Sequence, residues 1–284
     1  ADVATLEAPA KIAMAREAER AALAIDPRIN NSGGASFGPP LRAWQAAIAA
    51  AEEEATRLGL SEVRVAVRGV DPAQQGDPAV VALLIGNPPW ARFVAPAAAG
   101  EPALLLKAGQ PSLYLWTLPG DEALARRGEL VWQGQMATGL PPARLYRLPP
   151  VAEIDLDITW LPQPAQFDAG LALIAYAFPP PGALTPRVTL VWQVLTPPEE
   201  ARQRDLTLFN HIYDQTGARV AQADGFALLS RDWWPGDVVV QPYEIDLPAG
   251  EYRWQTGIYS RSDGGRAALL DGGDAFTLPP LLWP

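Results

Sequence analysis

Two stretches of sequence decide the fold of this protein: RVTLVWQVL at residues 187–195 and LTLFNHIYD at residues 206–214. Both are rich in the β-branched and aromatic side chains that pack well on a pleated sheet. Similar runs recur at short intervals between residues 151 and 284, where proline and glycine separate them and helical periodicity is missing. This pattern predicts an all-β antiparallel sandwich over residues 151–284, of jelly-roll or immunoglobulin-like type, with its boundary at Pro149-Pro150.

Residues 39–150 carry a different pattern, in which helices and short strands alternate. Apolar side chains recur at helical spacing from Leu41 to Leu58, and Gly59 then ends the helix. Valines alternate along residues 63–67, as they do on a strand. Further short elements are predicted, namely helices at residues 77–85 and 121–127 and strands that include residues 104–107. The segment therefore predicts a small α/β layered domain.

The composition excludes several classes of function. The chain has 284 residues, enough for two domains, and its formal net charge of −10 argues against nucleic acid and anionic membrane surfaces as partners. It contains no cysteine, which excludes disulfides, thiolate metal sites and a cysteine nucleophile. No apolar run approaches the roughly 18 residues that cross a bilayer, so we expect no direct membrane insertion by this chain. Neither a GxGxxG nor a Walker A motif occurs, and we expect no cofactor.

A series of segments in the last third carries a resemblance to a known family. In order, the series is VTLVWQVL (188–195), LTLFNHIYD (206–214), VAQADG (220–225), WPGDVV (234–239) and LPAGEYR (247–253). It resembles the C-terminal β-sandwich of bacterial membrane glycosyltransferases of the protein-mannosyltransferase-like class, over about residues 170–280. Residues 40–150 resemble the small α/β domain that precedes that sandwich.

The resemblance implies a location and a role. It implies a non-catalytic extracytoplasmic module that docks or positions a glycan or a protein acceptor, next to a membrane-embedded domain of the same polypeptide. The family's catalytic carboxylates lie on loops between membrane helices, so no catalytic residue carries over to this chain. Because the chain begins at Ala1 without a methionine or a leader, we expect a processed product or a fragment of a longer protein.

Residues 1–38 predict an N-terminal arm, a helix over residues 10–25 followed by a loop. Residues 19–37 include Asp26-Pro27-Arg28-Ile29 and resemble a stretch of the TldD/PmbA family of peptidase-like proteins. The metal-binding helix of that family needs two histidines, and this chain has only His211. His211 lies in the middle of a predicted strand, away from any nucleophile motif, and the simplest interpretation is a hydrogen-bonded strand histidine.

Tryptophan supplies the candidate contact residues, because the chain has 10 of them. Trp192 and Trp254 fall inside predicted strands, where we expect them in the core. Trp233 and Trp234 precede Pro235-Gly236, which predicts that at least one ring reaches the surface and contacts a glycan or a partner. Core packing is the simpler interpretation of both rings.

Three acidic residues form a weak calcium candidate. Glu153, Asp155 and Asp157 lie in a predicted strand over residues 154–161 or directly before it, so alternation places their side chains on one face. A solvated acidic face is the simpler interpretation, because Ca²⁺ takes about six or more oxygen ligands.

Three alternatives to the positioning module stay open on the sequence. The first is a secreted β-sandwich that binds carbohydrate through exposed aromatic rings. The second is an envelope or assembly subunit whose arm, residues 1–38, packs on a neighbour. The third is a glycosidase, although no spacing of acidic residues selects a catalytic pair.

Overall fold

The structure, a computed structural model, describes residues 41–66, 76–85, 91–95, 103–154, 156–180, 183 and 187–283. The predicted arm of residues 1–38 lies outside these residues. The described part of the chain is mostly β-strand, arranged in three five-stranded sheets with few helices. The prediction of a protein rich in β-structure is therefore confirmed. None of the described helices is long and apolar enough to cross a membrane.

The helices of the described residues are short apart from the first. They are α1 (Leu41–Leu58), α2 (Gly76–Ile85), α3 (Glu122–Arg127) and α4 (Glu199–Gln203). Single 3₁₀ turns occur at Val151–Glu153 and Ser230–Asp232. The sequence predicted the first three helices to within a residue at either end, because helical spacing, glycine and proline mark them. It did not predict α4.

The strands are numbered in chain order. They are β1 (Val63–Ala66), β2 (Ala91–Phe93), β3 (Leu104–Lys107), β4 (Ser112–Trp116), β5 (Glu129–Gly134), β6 (Ala143–Leu148), β7 (Thr159–Gln166), β8 (Leu171–Ala177), β9 (Arg187–Val194), β10 (Leu206–Tyr213), β11 (Arg219–Gln222), β12 (Asp237–Glu244), β13 (Gly250–Ser260), β14 (Phe276–Thr277) and β15 (Leu281–Trp283). The two runs that opened the sequence analysis are β9 and β10, so both are confirmed as strands.

The described residues divide into two compact units. One lies within Ala1–Val94 and Ser112–Leu148, and the other within Ala95–Pro111 and Pro149–Pro284. The predicted domain of residues 39–150 includes β3, whereas β3 pairs antiparallel with β12 in the second unit. The apolar pattern of β3 suits any sheet, and only the tertiary structure decides which strand it pairs with.

The first unit contains a mixed sheet in the order β2-β1-β4-β6-β5. β1 runs parallel to both β2 and β4, while β6 is antiparallel to β4 and β5. The buried side of α1, which includes Trp44 and Ile48, packs in one cluster with Val65 and Leu115 of the sheet. This is the apolar stripe that the sequence showed, because residues three and four apart share one face of a helix.

The second unit contains two antiparallel sheets. One has the order β3-β12-β9-β8-β7, and in the other β11-β10-β13-β14 are neighbours with β15 also paired to β13. Side chains of the two sheets meet, since the rings of Tyr243 on β12 and Trp254 on β13 have centroids 6.3 Å apart. Trp192 of β9 packs against Phe167 at 5.8 Å. Both Trp192 and Trp254 are fully buried, as predicted.

Two predicted strands differ from the structure. Residues 154–161 were predicted as one strand, but a 3₁₀ turn occupies Val151–Glu153 and β7 begins only at Thr159. Asp157 has a positive φ of 46°, a conformation that cannot continue a strand. The run of residues 267–270, which also predicts a strand, forms only a single bridge, between Leu269 and Phe167.

A buried amide holds the core of the second unit together. The Asn210 side chain of β10 donates from Nδ2 to the Ala223 carbonyl at 2.7 Å and accepts from the Trp254 indole at 3.1 Å. Ala223 begins the crossing loop, residues 223–236, which leads from β11 in one sheet to β12 in the other. The Tyr243 hydroxyl donates to Gly225 of the same loop at 2.9 Å. Side chains from both sheets therefore hold this loop in place.

Replacing Asn210→Ala leaves the Trp254 indole N–H and the Ala223 carbonyl without their partner inside the core. Because an unsatisfied buried polar group costs the full desolvation penalty, we expect the free energy of unfolding to fall by about 2–4 kcal/mol. Urea denaturation followed by tryptophan fluorescence measures this loss.

Gln215→Ala is the matched control for that loss. The Gln215 amide makes one exposed hydrogen bond, to Glu251 at 3.2 Å. Its removal should change stability by no more than about 0.5 kcal/mol. Equal losses in the two variants would contradict a structural role for the Asn210 amide.

Candidate functional site

The two tryptophans predicted as contact residues differ in their exposure to solvent. Trp233 is 0% exposed and meets the ring of Phe226 edge-on, with centroids 5.9 Å apart. Its carbonyl accepts a hydrogen bond from Arg202 at 3.2 Å. Trp233 is therefore a core residue of the crossing loop, and its ring offers no surface to a ligand. Trp234 is half-buried and remains the accessible member of the pair.

Glu153 and Asp157, the two calcium candidates that the structure describes, do not lie in a strand. Glu153 ends a 3₁₀ turn, Asp157 has a positive φ, and Asp155 lies outside the described residues. The alternation that would have aligned them is therefore missing. Among the residues that the structure describes, no group of three or more His, Asp or Glu side chains is placed to hold a metal ion.

The outward face of β10 carries a set of side chains that the sequence did not single out. Residues two apart on a strand share a face, so Phe209, His211 and Tyr213 all lie opposite the inward side that holds Asn210. The ring centroids of Phe209 and His211 are 4.8 Å apart, and those of His211 and Tyr213 are 6.4 Å apart. Tyr259 of β13 adds a fourth ring, 6.3 Å from Phe209. These four residues are called the aromatic row.

The two middle residues of the aromatic row are buried, and the two at its ends are partly exposed to solvent. Phe209 and His211 are buried, whereas Tyr213 and Tyr259 are half-exposed. Phe209 lies over Gly257, where an added Cβ would come within 2.6 Å of the Phe209 ring. Only glycine leaves room for this ring, so Gly257 sets the depth at which the row lies.

Two arginines stack on rings of the aromatic row. Arg266 lies over the Phe209 ring at 4.4 Å and pairs with Asp274 at 3.0 Å. Arg253 lies over the Tyr213 ring at 5.1 Å. Guanidinium groups stack well on aromatic faces, so these contacts fix the direction of otherwise flexible side chains.

His211 is held in its neutral form by its surroundings. Burial lowers the pKa of the His211 imidazole, and the neighbouring Arg219 lowers it further, while Asp224 acts in the opposite direction. The Arg219 Nη1 lies 3.3 Å from the His211 Nε2. A guanidinium can only donate, so Nε2 accepts and the ring proton sits on Nδ1. The interpretation of His211 as a hydrogen-bonded strand histidine fits this geometry.

Polar side chains around Asp224 form a rim beside the aromatic row. Its carboxylate accepts from the Gln222 amide at 3.1 Å and from the Tyr259 hydroxyl at 3.4 Å. Burial raises the pKa of Tyr259, and Asp224 adds to the rise, so this hydroxyl stays protonated and donates. The rim therefore offers both donors and acceptors around the rings.

A second surface feature is Trp160 on β7. Its side chain is 59% exposed, and β7 is an edge strand of its sheet. Pro162 and Pro164 lie in the same strand, as expected of an edge where ladder hydrogen bonds are not needed. The sequence carries no signal for the exposure of Trp160, because a tryptophan within a predicted strand usually packs in the core.

The polar clusters of the first unit are structural. Asp121 accepts from Arg144 at 2.6 Å and from the Tyr146 hydroxyl. Burial and Asp121 together raise the pKa of Tyr146 to about 12, so this phenol is a hydrogen-bond donor and not a base. Arg64 is fully buried and donates to Glu62 at 2.8 Å. The Asp121 contacts attach the start of α3 to β6, and the Arg64–Glu62 bond pairs two buried charges of the β1 segment.

Comparisons with known proteins give little further guidance. No protein-family model matches this chain, and no curated protein sequence matches it. Among solved structures, the chain is similar to an endonuclease/exonuclease/phosphatase from Beutenbergia cavernae DSM 12333, with 15% sequence identity and a TM-score of 0.26. The match covers 53% of this chain and only 34% of that chain. A similarity this low does not indicate a shared fold.

The protonation of His211 gives a direct test of the site. Because this is the only histidine of the chain, its imidazole signals are unambiguous in an NMR titration. We expect its pKa to lie below the ordinary value of about 6.5. Arg219→Gln should raise it towards that value, whereas Arg261→Gln, which breaks an exposed pair with Asp205, should leave it unchanged. An imidazole that titrates at or above its ordinary value would contradict the geometry.

The same shift predicts how stability depends on pH. The folded pKa of His211 lies below the unfolded one, so the unfolded chain binds more protons between the two values. The contribution of His211 is fully present above about pH 6.5 and is lost as the pH falls through the folded pKa. His211→Asn should show a smaller loss of stability than the parent chain in urea denaturation between pH 7.5 and 5.

Proposed function

We propose that this chain is a non-catalytic extracytoplasmic module of a glycosyltransferase-like membrane protein, and that it positions a glycan on the aromatic row. In this proposal the first unit is an α/β layered domain and the second is an antiparallel β-sandwich. The membrane-embedded domain belongs to the same polypeptide and performs the chemistry. The contacts between the two sheets and the apolar helix–sheet cluster support the proposed folds.

The observation that carries the proposal is the aromatic row itself. It places half-exposed tyrosines on a sheet face with a ring of hydrogen-bonding side chains, as ligand-binding surfaces do. The apolar faces of sugar rings pack on aromatic rings, while their hydroxyl groups need planar donors and acceptors such as arginine, Gln222 and Asp224. Because Phe209 and the arginines hold the row in place before a ligand arrives, little ordering entropy is lost on binding.

A role in positioning rather than catalysis agrees with the state of the titratable groups in the row. The neutral His211 ring already accepts from Arg219, and Tyr259 donates to Asp224. A general base needs a pKa near the working pH and an accessible lone pair directed at the substrate. Neither group offers that arrangement. We therefore assign the row to recognition.

A glycan array followed by calorimetry tests the proposal. We expect the 284-residue chain to bind a subset of glycans, and Tyr213→Ala and Tyr259→Ala each to weaken that binding about tenfold, equivalent to about 1.4 kcal/mol. Both side chains are half-exposed, so the unfolding midpoint should change little, and this is measured alongside.

Trp160→Ala is the matched control, because it removes a more exposed ring from the other sheet. Glycan binding should survive this change. Loss of binding in Trp160→Ala but not in the tyrosine variants would place the binding surface on β7 instead. A parent chain that binds no glycan would overturn the proposal.

A further inference from the structure

The end of β10 brings two arginines to either side of one tyrosine. Tyr213 is the direct partner of Arg219 on β11 and of Arg253 on β13. Arg253 and Tyr213 are in regular register and therefore share a face. The register against β11 shifts between Ile212 and Tyr213, and the contact of Arg219 with His211 places Arg219 on the same face, so the three side chains form a line across the sheet. With strands about 4.8 Å apart, the two arginine backbones lie about 10 Å from each other. We call this line the arginine–tyrosine clamp.

Within the described part of the chain, neither arginine of the clamp has an acidic partner. Both are exposed, and among the described residues no carboxylate lies within ion-pair distance of either. Other arginines of the second unit do pair with carboxylates, namely Arg187, Arg204, Arg261 and Arg266. The chain has 32 acidic residues against 22 lysines and arginines, so two unpaired cations side by side are unexpected. Like charges at this spacing repel each other unless an anion lies between them.

The clamp is held in position without an anion. Arg253 stacks on the Tyr213 ring, and Arg219 uses one N–H on the neutral His211 imidazole. Each guanidinium keeps further in-plane donors, which match the two oxygens of a carboxylate. Acids in the neighbouring segments have other partners, since Asp214 accepts from Thr216, Asp224 accepts from Gln222 and Tyr259, and Glu251 accepts from Gln215.

We propose that the clamp makes this surface selective for acidic oligosaccharides that carry sugar carboxylates, with Arg219 and Arg253 each binding a carboxylate and Tyr213 lying beneath the sugar ring between them. This inference rests on the proposed function and names the class of glycan. A sugar chain suits the aromatic row that continues from Tyr213 along β10.

The test compares trigalacturonate with the same trisaccharide after its carboxyl groups are reduced to alcohols. We expect the 284-residue chain to bind the acidic form at least tenfold more tightly in calorimetry at low ionic strength. Arg219→Gln and Arg253→Gln should each remove most of that preference, because binding of the acidic form falls much further than binding of the reduced form. Added salt should weaken only the acidic form.

Two further variants sharpen the result. Arg261→Gln removes an exposed cation that pairs with Asp205, so the preference for the acidic form should be kept. Arg253→Lys keeps the charge but loses the planar fork, and should retain only part of the preference. A preference that is lost equally in Arg261→Gln would reflect net charge alone and would overturn the clamp.

The outcomes separate the two proposals. Equal affinity for the acidic and reduced trisaccharides would overturn the selectivity and leave glycan positioning intact. Failure to bind either one, together with an array that shows no bound glycan, would overturn both. Binding of a poly-glutamate peptide in place of trigalacturonate would overturn the saccharide assignment. It would show that the clamp binds carboxylates whether or not a sugar ring is present.

Discussion

The hydrogen bonds of the buried Asn210 amide are the constraint on which the second unit depends. They join the Trp254 indole on the neighbouring strand to the start of the crossing loop, in a place that water does not reach. A buried amide without hydrogen-bond partners carries its full desolvation penalty. Only the register of β10 against β13 that gives Asn210 its partners avoids this penalty. That register places Asn210 inward, and it therefore places Phe209, His211 and Tyr213 outward.

The register that places Asn210 inward also determines which side chains of β10 lie on the outward face. On that face, each side chain is held by contacts with its neighbours. Phe209 fills the space that Gly257 leaves, Arg266 covers Phe209, and His211 stays neutral because it is buried beside Arg219. Each group limits the freedom of the next. The result is a rigid polar and aromatic surface with two cations at one end, which suits recognition better than proton transfer.

The first unit uses buried charge in a different way. Arg64 is fully buried and paired with Glu62, and Arg92 lies 3.6 Å from the same carboxylate. Such buried ion pairs contribute little net stability, yet removal of one member is costly because the other charge is left in a medium of low dielectric constant. We therefore expect the loss of one member of the pair to destabilise the first unit more than the loss of both.

Periodicity in the sequence was enough to determine the local elements: α1 from its apolar stripe, β9 and β10 from their β-branched and aromatic runs, and the burial of Trp192 and Trp254 within strands. Only the tertiary structure decided that β3 pairs with β12, that Trp233 is buried, and that Arg219 and Arg253 flank Tyr213. These are contacts between segments far apart in the chain. A pattern of period two indicates which residues of a strand share a face, but it does not determine which face meets water or which strand lies beside it.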